Sequence, residues 1–172
     1  QGVYDWEGLK FLEKAFSGND LKEHNWAFQY LIIYDQNHIP VLATFLTVGL
    51  CKDDMLAKVS ASEIIEEKRK TNPYYLTSKV LSIGSLFTEG NHLFIDDNHP
   101  LKHQALHSLM QSMETLEQRF NAKMVVLRDF SEHDPLHPYF QGQGFVRVQM
   151  PNSCKIDIEP KETIEGFITK LS

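Results

Sequence analysis

The feature that most constrains the fold is a long amphipathic helix set between two apolar runs. The segment "HPLKHQALHSLMQSMETLEQRFN" (99–121) repeats apolar residues at helical spacing, and Pro100 suits its first turn. It follows "VLSIGSLF" (80–87) and precedes "MVVLRDF" (124–130), which are both typical of strands. Two strands joined through a helix of this length run parallel in one sheet. We therefore predict a parallel strand pair from these two segments.

The preceding segments indicate a helix and a hairpin. The sequence "DWEGLKFLEKAF" (5–16) has its apolar residues on one helical face, and Gly18 suits the end of that helix. The runs at 27–34 and 41–49 are rich in β-branched and aromatic residues and flank the polar "DQNH". This pattern predicts an antiparallel hairpin.

Three further elements complete the prediction. The sequence "SASEIIEEKRK" (60–70) predicts a surface helix capped by Ser60 or Ser62. The continuous apolar run at 124–130 predicts a central strand buried on both faces. The alternation in "FVRVQM" (145–150) predicts a final strand.

This order of elements predicts a mixed α/β fold, an α+β arrangement with a mixed sheet. It has an antiparallel N-terminal hairpin, a central parallel strand pair and flanking helices. We expect a single domain over 1–160 of the 172 residues. The end of the chain, "KETIEGFITKLS", keeps helical spacing, so we expect a terminal helix at 161–172 that leads into a missing segment of a longer protein.

Composition excludes several classes of function. The net charge of −6 gives no broad attraction to nucleic acid or anionic lipid. No run approaches the ~20 apolar residues of a membrane span, and the N-terminus has no secretion-signal pattern. Cys51 and Cys154 could pair or stay reduced, and they do not make a disulfide scaffold. We expect a cytoplasmic protein that binds neither membrane nor nucleic acid.

The C-terminal part resembles a known superfamily. The strand "KMVVLRDF", the short helix holding "YFQGQGF" and the strand "VRVQMP" resemble the C-terminal half of the GNAT-type acyl-CoA N-acyltransferase fold, where an aromatic residue precedes a Gly-Phe pair. The order of elements agrees over roughly residues 26–158. The polar insertion at 52–73 and the expected terminal helix are similar to segments of FemAB-type domains and of GNAT-like modules joined to larger enzymes.

The resemblance implies a slot for an acyl-CoA, such as acetyl-CoA, between splayed strands at 80–87 and 124–130. The cosubstrate's pyrophosphate would lie on backbone amides at the start of the following helix, where N–H groups lack internal partners. Glu89 is the expected general base, and Tyr139 the expected acid that protonates the thiolate. The expected cofactor-binding residues are Ser85, Leu86, Phe87, Gly90, Asn91 and Arg128, with the amides of 85–87 holding the acyl arm.

The loop before the long helix departs from the family pattern. The family's phosphate loop has a base, two spacers, glycine, a spacer and glycine or alanine, and no such sequence lies between Phe87 and Leu101. Glu89, Asp96 and Asp97 occur there instead. A carboxylate about 6 Å from a phosphate would cost roughly 3 kcal/mol at an effective dielectric near 20. The helix terminus would return only ~0.3–1 kcal/mol, so the acids must point away for a pyrophosphate to bind.

The tyrosine also departs from the pattern. The family's tyrosine lies four residues before the Gly-Phe pair, and here that position is Phe140. Phenylalanine cannot donate a proton. Tyr139 lies one residue earlier, which is a rotation of about 100° on a helix.

Several residues have a structural as well as a functional interpretation. Arg128 follows a strand at the edge where α/β sheets bind ligands, and it could hold a carboxylate or phosphate or pair with Asp129 or Glu132. Gly84 and Ser85 interrupt a strand, which indicates a bulge, a close approach of ligand, or a packing need.

Glu89 has the alternative interpretation of a solvated loop acid. His99, His103 and His107 recur on one helical side, a spacing that can direct imidazoles to a metal ion. No "HExxH" accompanies them, and histidines on an amphipathic helix are commonly solvated, so we expect no metal site.

We predict an N-acyltransferase domain that transfers an acyl group from an activated donor to an amine. The donor would be a CoA thioester or, as in FemAB-like domains, an aminoacyl group. The alternative is a catalytically inactive GNAT-shaped binding or interdomain module of a larger protein. The expected partners are a small-molecule amine or acyl donor and the remainder of a longer parent chain, and the oligomeric state stays open.

Overall fold

The computed structural model describes residues 5–150 and residue 163 of the chain. The chain divides into two compact units, Gln1–Glu132 and His133–Ser172. In chain order the elements are α1 (Trp6–Ala15), a 3₁₀ turn (Lys22–His24), β1 (Ala27–Tyr34), β2 (Pro40–Lys52), α2 (Val59–Arg69), β3 (Thr77–Ile83), β4 (Leu93–Ile95), α3 (Lys102–Phe120), β5 (Met124–Leu127) and α4 (His137–Gly142). The described strands and helices α1 to α3 belong to the first unit, and α4 belongs to the second.

Strand β2 organises the sheet, because β1, β3 and β4 all pair with it antiparallel. The whole length of β1 pairs with β2, which confirms the predicted hairpin. The prediction gave the bounds of β1 as 27–34, which match. β2 continues to Lys52, beyond the predicted end at residue 49, because its last residues pair with the start of β3.

A single aspartate closes the turn of this hairpin. Asp35 Oδ1 accepts hydrogen bonds from Ile39 N at 2.8 Å and Asn37 N at 2.9 Å. The bond from Ile39, reinforced by those from Asn37 and by His99, lowers the pKa of Asp35 below its ordinary value because each favours the ionised carboxylate. His99 Nε2 lies 3.6 Å from Asp35 Oδ2, so the turn also contacts the segment that leads into α3.

β3 and β5 form the predicted parallel pair, joined through α3. Residues from Val80 to Ile83 pair with those from Met124 to Leu127. The observed bounds of α3 lie within the predicted range of 99–121. The fold is therefore mixed α/β, with a mixed sheet and flanking helices.

β3 and β4 occupy the same edge of β2 in succession. β3 pairs with β2 as far as Ser82, which lies opposite Thr47, and β4 then pairs with Leu42 to Thr44. Residues 84–92, here called the 84–92 loop, leave the sheet between the two strands. The chain therefore departs from this edge and returns to it before α3 begins.

Much of the core lies on one face of the sheet, against α3. Side chains alternate between the faces of a strand, and α3 packs against β2 and β3. The most deeply buried large side chains of these elements are Leu42, Leu46, Leu81, Ile83, Leu106 and Leu109. Each fully buried leucine or isoleucine contributes about 1.5–3 kcal/mol relative to an exposed one. This layer holds β3 rigidly, which fixes the start of the 84–92 loop.

A buried arginine fastens the insertion between β2 and β3. The Arg69 side chain is 5% exposed and pairs with Asp54 Oδ1 at 2.6 Å and with Glu66 Oε1 at 2.7 Å. Two further N–H groups donate to the carbonyl oxygens of Tyr75 at 2.9 Å and Leu76 at 2.8 Å. Arg69 therefore joins α2 to the segments on both sides of it.

The predicted caps of this helix are wrong. α2 begins at Val59 with Lys58 at the N-cap, and no side chain caps it. Ser60 and Ser62 lie inside the helix, and Ser62 Oγ instead donates to Asp54 O at 3.4 Å. The insertion is held by the arginine rather than by capping.

Two predictions for the C-terminal strands are also wrong. The run at 124–130 is not a central strand buried on both faces, because β5 ends at Leu127, terminates the described sheet and has half-buried or exposed residues. A short apolar run does not distinguish the two positions. Residues 145–150 form no strand, since alternation alone does not make one. The expected terminal helix at 161–172 lies outside the described residues, apart from Thr163.

No helix within the described part of the chain is long and apolar enough to cross a membrane.

Candidate functional site

The parallel ladder stops early. Pairing between β3 and β5 ends at Ile83 and Leu127. The next residue, Gly84, has a φ of 77° and donates its N–H to Phe45 O at 3.0 Å. Its carbonyl oxygen accepts a hydrogen bond from Thr47 Oγ1 at 2.7 Å. Beyond residue 83 the chain is therefore held to β2, and the segments 80–87 and 124–130 do not pair along their whole length.

A tight turn follows and uses its own backbone groups. Ser85 and Thr88 are 0% and 1% exposed. Ser85 N donates to Thr88 Oγ1 at 2.9 Å, and Phe87 N donates to Ser85 Oγ at 3.2 Å. Two of the three amides predicted to hold an acyl arm therefore have internal partners. The third, Leu86 N, makes no hydrogen bond to the described residues, and Leu86 is 45% exposed.

A buried histidine explains the glycine at the start of the loop. The His92 side chain is 0% exposed and meets the Phe45 ring edge-on at 5.6 Å. A Cβ on Gly84 would lie 2.4 Å from His92 Cδ2, so only glycine fits beside the imidazole. Of the three interpretations of Gly84, the structure supports the packing need. His92 Nε2 also lies 3.0 Å from Asp129 Oδ2, which ties the loop to the residues after β5.

Arg128 crosses the space where the strands separate. Its Nη1 donates a hydrogen bond to Ser85 O. Its Nη2 lies 3.9 Å from Asp129 Oδ2, which is an ion pair but too long for a hydrogen bond. The guanidinium also acts on Cys51. Burial raises the pKa of the Cys51 thiol, and the charge of Arg128 offsets part of that rise. Arg128 is thus the cation of this site.

Aromatic stacking holds the tip of the 84–92 loop. The Phe87 ring stacks on Trp26 at 5.5 Å and on Phe16 at 5.1 Å between centroids. Trp26 and Phe16 stack on each other at 4.0 Å. Phe87 remains 59% exposed, so one side of its ring stays accessible. These contacts join the loop to the segment around α1.

The remaining predicted loop residues lie at the surface. Glu89, Gly90 and Asn91 are all exposed. Gly90 has a φ of 101°, a conformation that favours glycine. Asn91 Oδ1 accepts a hydrogen bond from Leu93 N at 3.0 Å and so shapes the entry into β4. Glu89 is accessible to solvent, as a general base must be if it exchanges protons with water.

The chain leaves the sheet after β4 at a point displaced from the end of the parallel pair. Asp96 N donates to Val41 O at 2.9 Å, so the chain leaves the sheet opposite Val41. Gly84 forms a β-bridge with Leu46, which is five residues after Val41 on β2. At ~3.4 Å per residue the two points are roughly 17 Å apart along β2.

Amides at the start of α3 also have partners. Leu101 N donates to His99 Nδ1 at 3.1 Å, and Lys102 N donates to His99 O at 3.0 Å. Lys102 Nζ pairs with Asp97 Oδ1 at 2.5 Å. The pyrophosphate site expected here stays a prediction, and the amides of Leu101 and Lys102 already donate to His99.

Tyr139 lies on α4, in the second unit. Its hydroxyl is buried and has no hydrogen-bond partner in the described part of the chain, and burial raises its pKa. The shift moves the pKa further from neutral pH, which makes the phenol a weaker acid. Phe140 is 4% exposed. The role of Tyr139 stays a prediction.

Among the described residues no group of three or more His, Cys, Asp or Glu side chains could hold a metal ion. His99, the first of the three spaced histidines, contacts Asp35 at the hairpin turn.

Sequence reasoning missed the pairing of His92 with Asp129. The two residues are 37 positions apart, and Asp129 has a φ of 61° that no local pattern indicates. The usable signal was the glycine at position 84, which interrupts a strand and so marks a close approach of another group. The sequence could not show that the approaching group is a histidine from the same loop.

No protein-family model matches the chain, and no curated protein matches it either. Two solved structures of mutant forms of the BH1408 protein from Bacillus halodurans are similar to it at 9% sequence identity. One has a TM-score of 0.49 over 87% of this chain and 74% of that chain, and the other has a TM-score of 0.47 over 87% and 73%. At these values the likeness carries no functional inference.

Proposed function

We propose that this chain is a GNAT-like N-acyltransferase domain whose acyl donor binds where β3 and β5 stop pairing. The observation that carries the proposal is the early end of the parallel ladder, after which Gly84 turns toward β2. The opening lies at the carboxyl ends of two parallel strands, the edge where α/β sheets commonly bind ligands. The amide of Leu86, which makes no hydrogen bond to the described residues, lies on the loop that follows.

The proposed reaction joins an amine to the acyl group of a thioester. The amine enters as an ammonium and loses one proton to water or to the exposed carboxylate of Glu89. Its nitrogen attacks the carbonyl carbon, a C–N bond forms and the C–S bond breaks. The second proton of the attacking nitrogen passes to the departing thiolate, which leaves as a thiol.

The Leu86 amide would hold the carbonyl oxygen during this step. That oxygen gains negative charge in the tetrahedral intermediate, and a preorganised N–H donor stabilises such a charge. Leu86 N is suited to the task because no internal group competes for it among the described residues. Positioning of the two reactants can supply most of the remaining acceleration.

The second candidate is an inactive module of the same shape. It is favoured by the bond from Arg128 to Ser85 O, which spans the opening, and by the internal partners of the Ser85 and Phe87 amides. Such a module would keep the fold and bind no acyl donor.

Isothermal titration calorimetry of the full chain with acetyl-CoA distinguishes the candidates. The transferase proposal expects a Kd in the micromolar range, and the absence of heat at millimolar ligand would support the inactive module. Leu86→Pro removes the amide donor, whereas Leu86→Ala keeps it and serves as the matched control. We expect Leu86→Pro to weaken binding and Leu86→Ala to leave it nearly unchanged.

A further inference from the structure

We infer that Arg128 and Asp129 together bind the carboxylate and ammonium groups of an α-amino acid. In the proposed function this amino acid is the acyl acceptor, and that role rests on the proposed function. The binding itself follows from the two side chains alone.

The guanidinium of Arg128 has donors to spare. Arginine carries five N–H donors in a planar fork. In the part of the chain that the structure describes, Arg128 makes a single hydrogen bond, from Nη1 to Ser85 O, although its side chain is only 20% exposed. At this exposure the remaining donors can bind solvent or a ligand. A carboxylate matches the fork with two parallel bonds, which makes it the ligand that best fits the remaining donors.

Asp129 offers a complementary acceptor beside it. His92 Nε2 lies 3.0 Å from Oδ2, and Oδ1 makes no hydrogen bond to the described residues. The Asp129 side chain is 26% exposed, so it remains accessible. Its positive φ of 61° sets the side chain at the point where the strand has ended. A carboxylate there accepts hydrogen bonds from an ammonium group.

The two charges are arranged for a zwitterion. Arg128 Nη2 and Asp129 Oδ2 form an ion pair at 3.9 Å without a direct hydrogen bond between them, so each side chain keeps hydrogen-bonding capacity for a ligand. In an α-amino acid the carboxylate and ammonium groups are joined through one carbon, so both can reach the adjacent side chains at once. A phosphate would gain from Arg128 but would be repelled by Asp129. The pair therefore favours a ligand that carries both charges.

The test follows the side-chain Nε–Hε NMR signal of Arg128 in the full-length chain. The probes are the twenty proteinogenic L-amino acids added singly, the amides of those that bind, and inorganic phosphate. We expect at least one amino acid to give a saturable shift, and its amide, which lacks the carboxylate, to bind roughly 10- to 100-fold more weakly.

Four variants separate the site from general charge effects. Asp129→Asn keeps an oxygen that His92 can bond, and Arg128→Gln keeps a polar side chain of similar length. We expect each to weaken amino-acid binding roughly 10- to 100-fold. The controls are Arg119→Gln, at an exposed arginine, and Asp97→Asn, at a carboxylate that is 63% exposed, and both should bind normally. Binding in the Arg128 variant is followed by calorimetry.

The proposal is overturned if no amino acid binds at millimolar concentration, or if phosphate binds and binds more tightly to Asp129→Asn. An unshifted Arg128 signal with binding elsewhere would overturn it as well. If an amino acid binds this pair but acetyl-CoA gives no heat, the site stands and the transferase proposal fails. If acetyl-CoA binds and no amino acid does, the reverse holds.

Discussion

Replacing Gly84 with alanine tests the packing at the start of the 84–92 loop. The backbone there has a φ of 77°, which costs an L-residue about 1–2 kcal/mol. The new Cβ would also lie 2.4 Å from His92 Cδ2, and forced overpacking of this kind costs about 1–3 kcal/mol. The two terms predict a loss of about 2–5 kcal/mol in the free energy of unfolding.

Urea unfolding followed by far-UV circular dichroism measures this loss. With a slope of about 2 kcal/mol per M, the midpoint should fall by about 1–2.5 M. Gly18→Ala is the matched control, because Gly18 has a φ of 69° but nothing within 4 Å of a built Cβ. The control should lose only the conformational term of about 1–2 kcal/mol.

A second background isolates the clash. In a His92→Ala chain the imidazole is absent, so Gly84→Ala should again cost only about 1–2 kcal/mol. Equal losses for Gly84→Ala and Gly18→Ala in the wild-type background, or no rescue by His92→Ala, would refute the packing argument.

Three further perturbations test other parts of the structure. Arg69→Met should lower the urea midpoint far more than Lys70→Met. The first change leaves the buried Asp54 carboxylate without its partner, whereas Lys70 pairs at the surface. Equal losses would contradict the role of Arg69 in holding the insertion. Phe87→Ala should cost about 0.5–1.5 kcal/mol per lost ring pair and speed hydrogen exchange in residues 84–92, and unchanged exchange would count against it. The backbone bonds that lower the pKa of Asp35 stabilise the fold at pH values above 3.8, the ordinary pKa of the group. This contribution is lost as the pH falls through the lower pKa of the folded state. Asp35→Asn should therefore show a weaker loss of stability in acid, and an identical acid profile would contradict this.

The hairpin and α3 could be predicted because local patterns determine them. Residues 27–34 are rich in β-branched and aromatic residues and residues 99–121 repeat as a helix, so each segment carries its own signal. The parallel pair followed from chain connectivity, since the strands at 80–87 and 124–130 are joined through α3.

The candidate site could be predicted only in part, because long-range contacts build it. The sequence indicated Ser85 and Arg128, but the bond between them joins residues 43 positions apart. It gave no sign of β4, whose three residues are too few for a periodic signal and which returns the chain to β2 before α3. It also gave no sign that Thr88 uses the Ser85 amide.

The Leu86 amide provides the measurement on which the proposed acyl transfer depends. Its ¹H–¹⁵N signal can be followed while acetyl-CoA is added to the full-length chain. We predict a saturable shift at Leu86 that follows the calorimetric binding curve, since this amide has no internal partner among the described residues. A Leu86 signal that stays unchanged at millimolar acetyl-CoA would contradict the proposal.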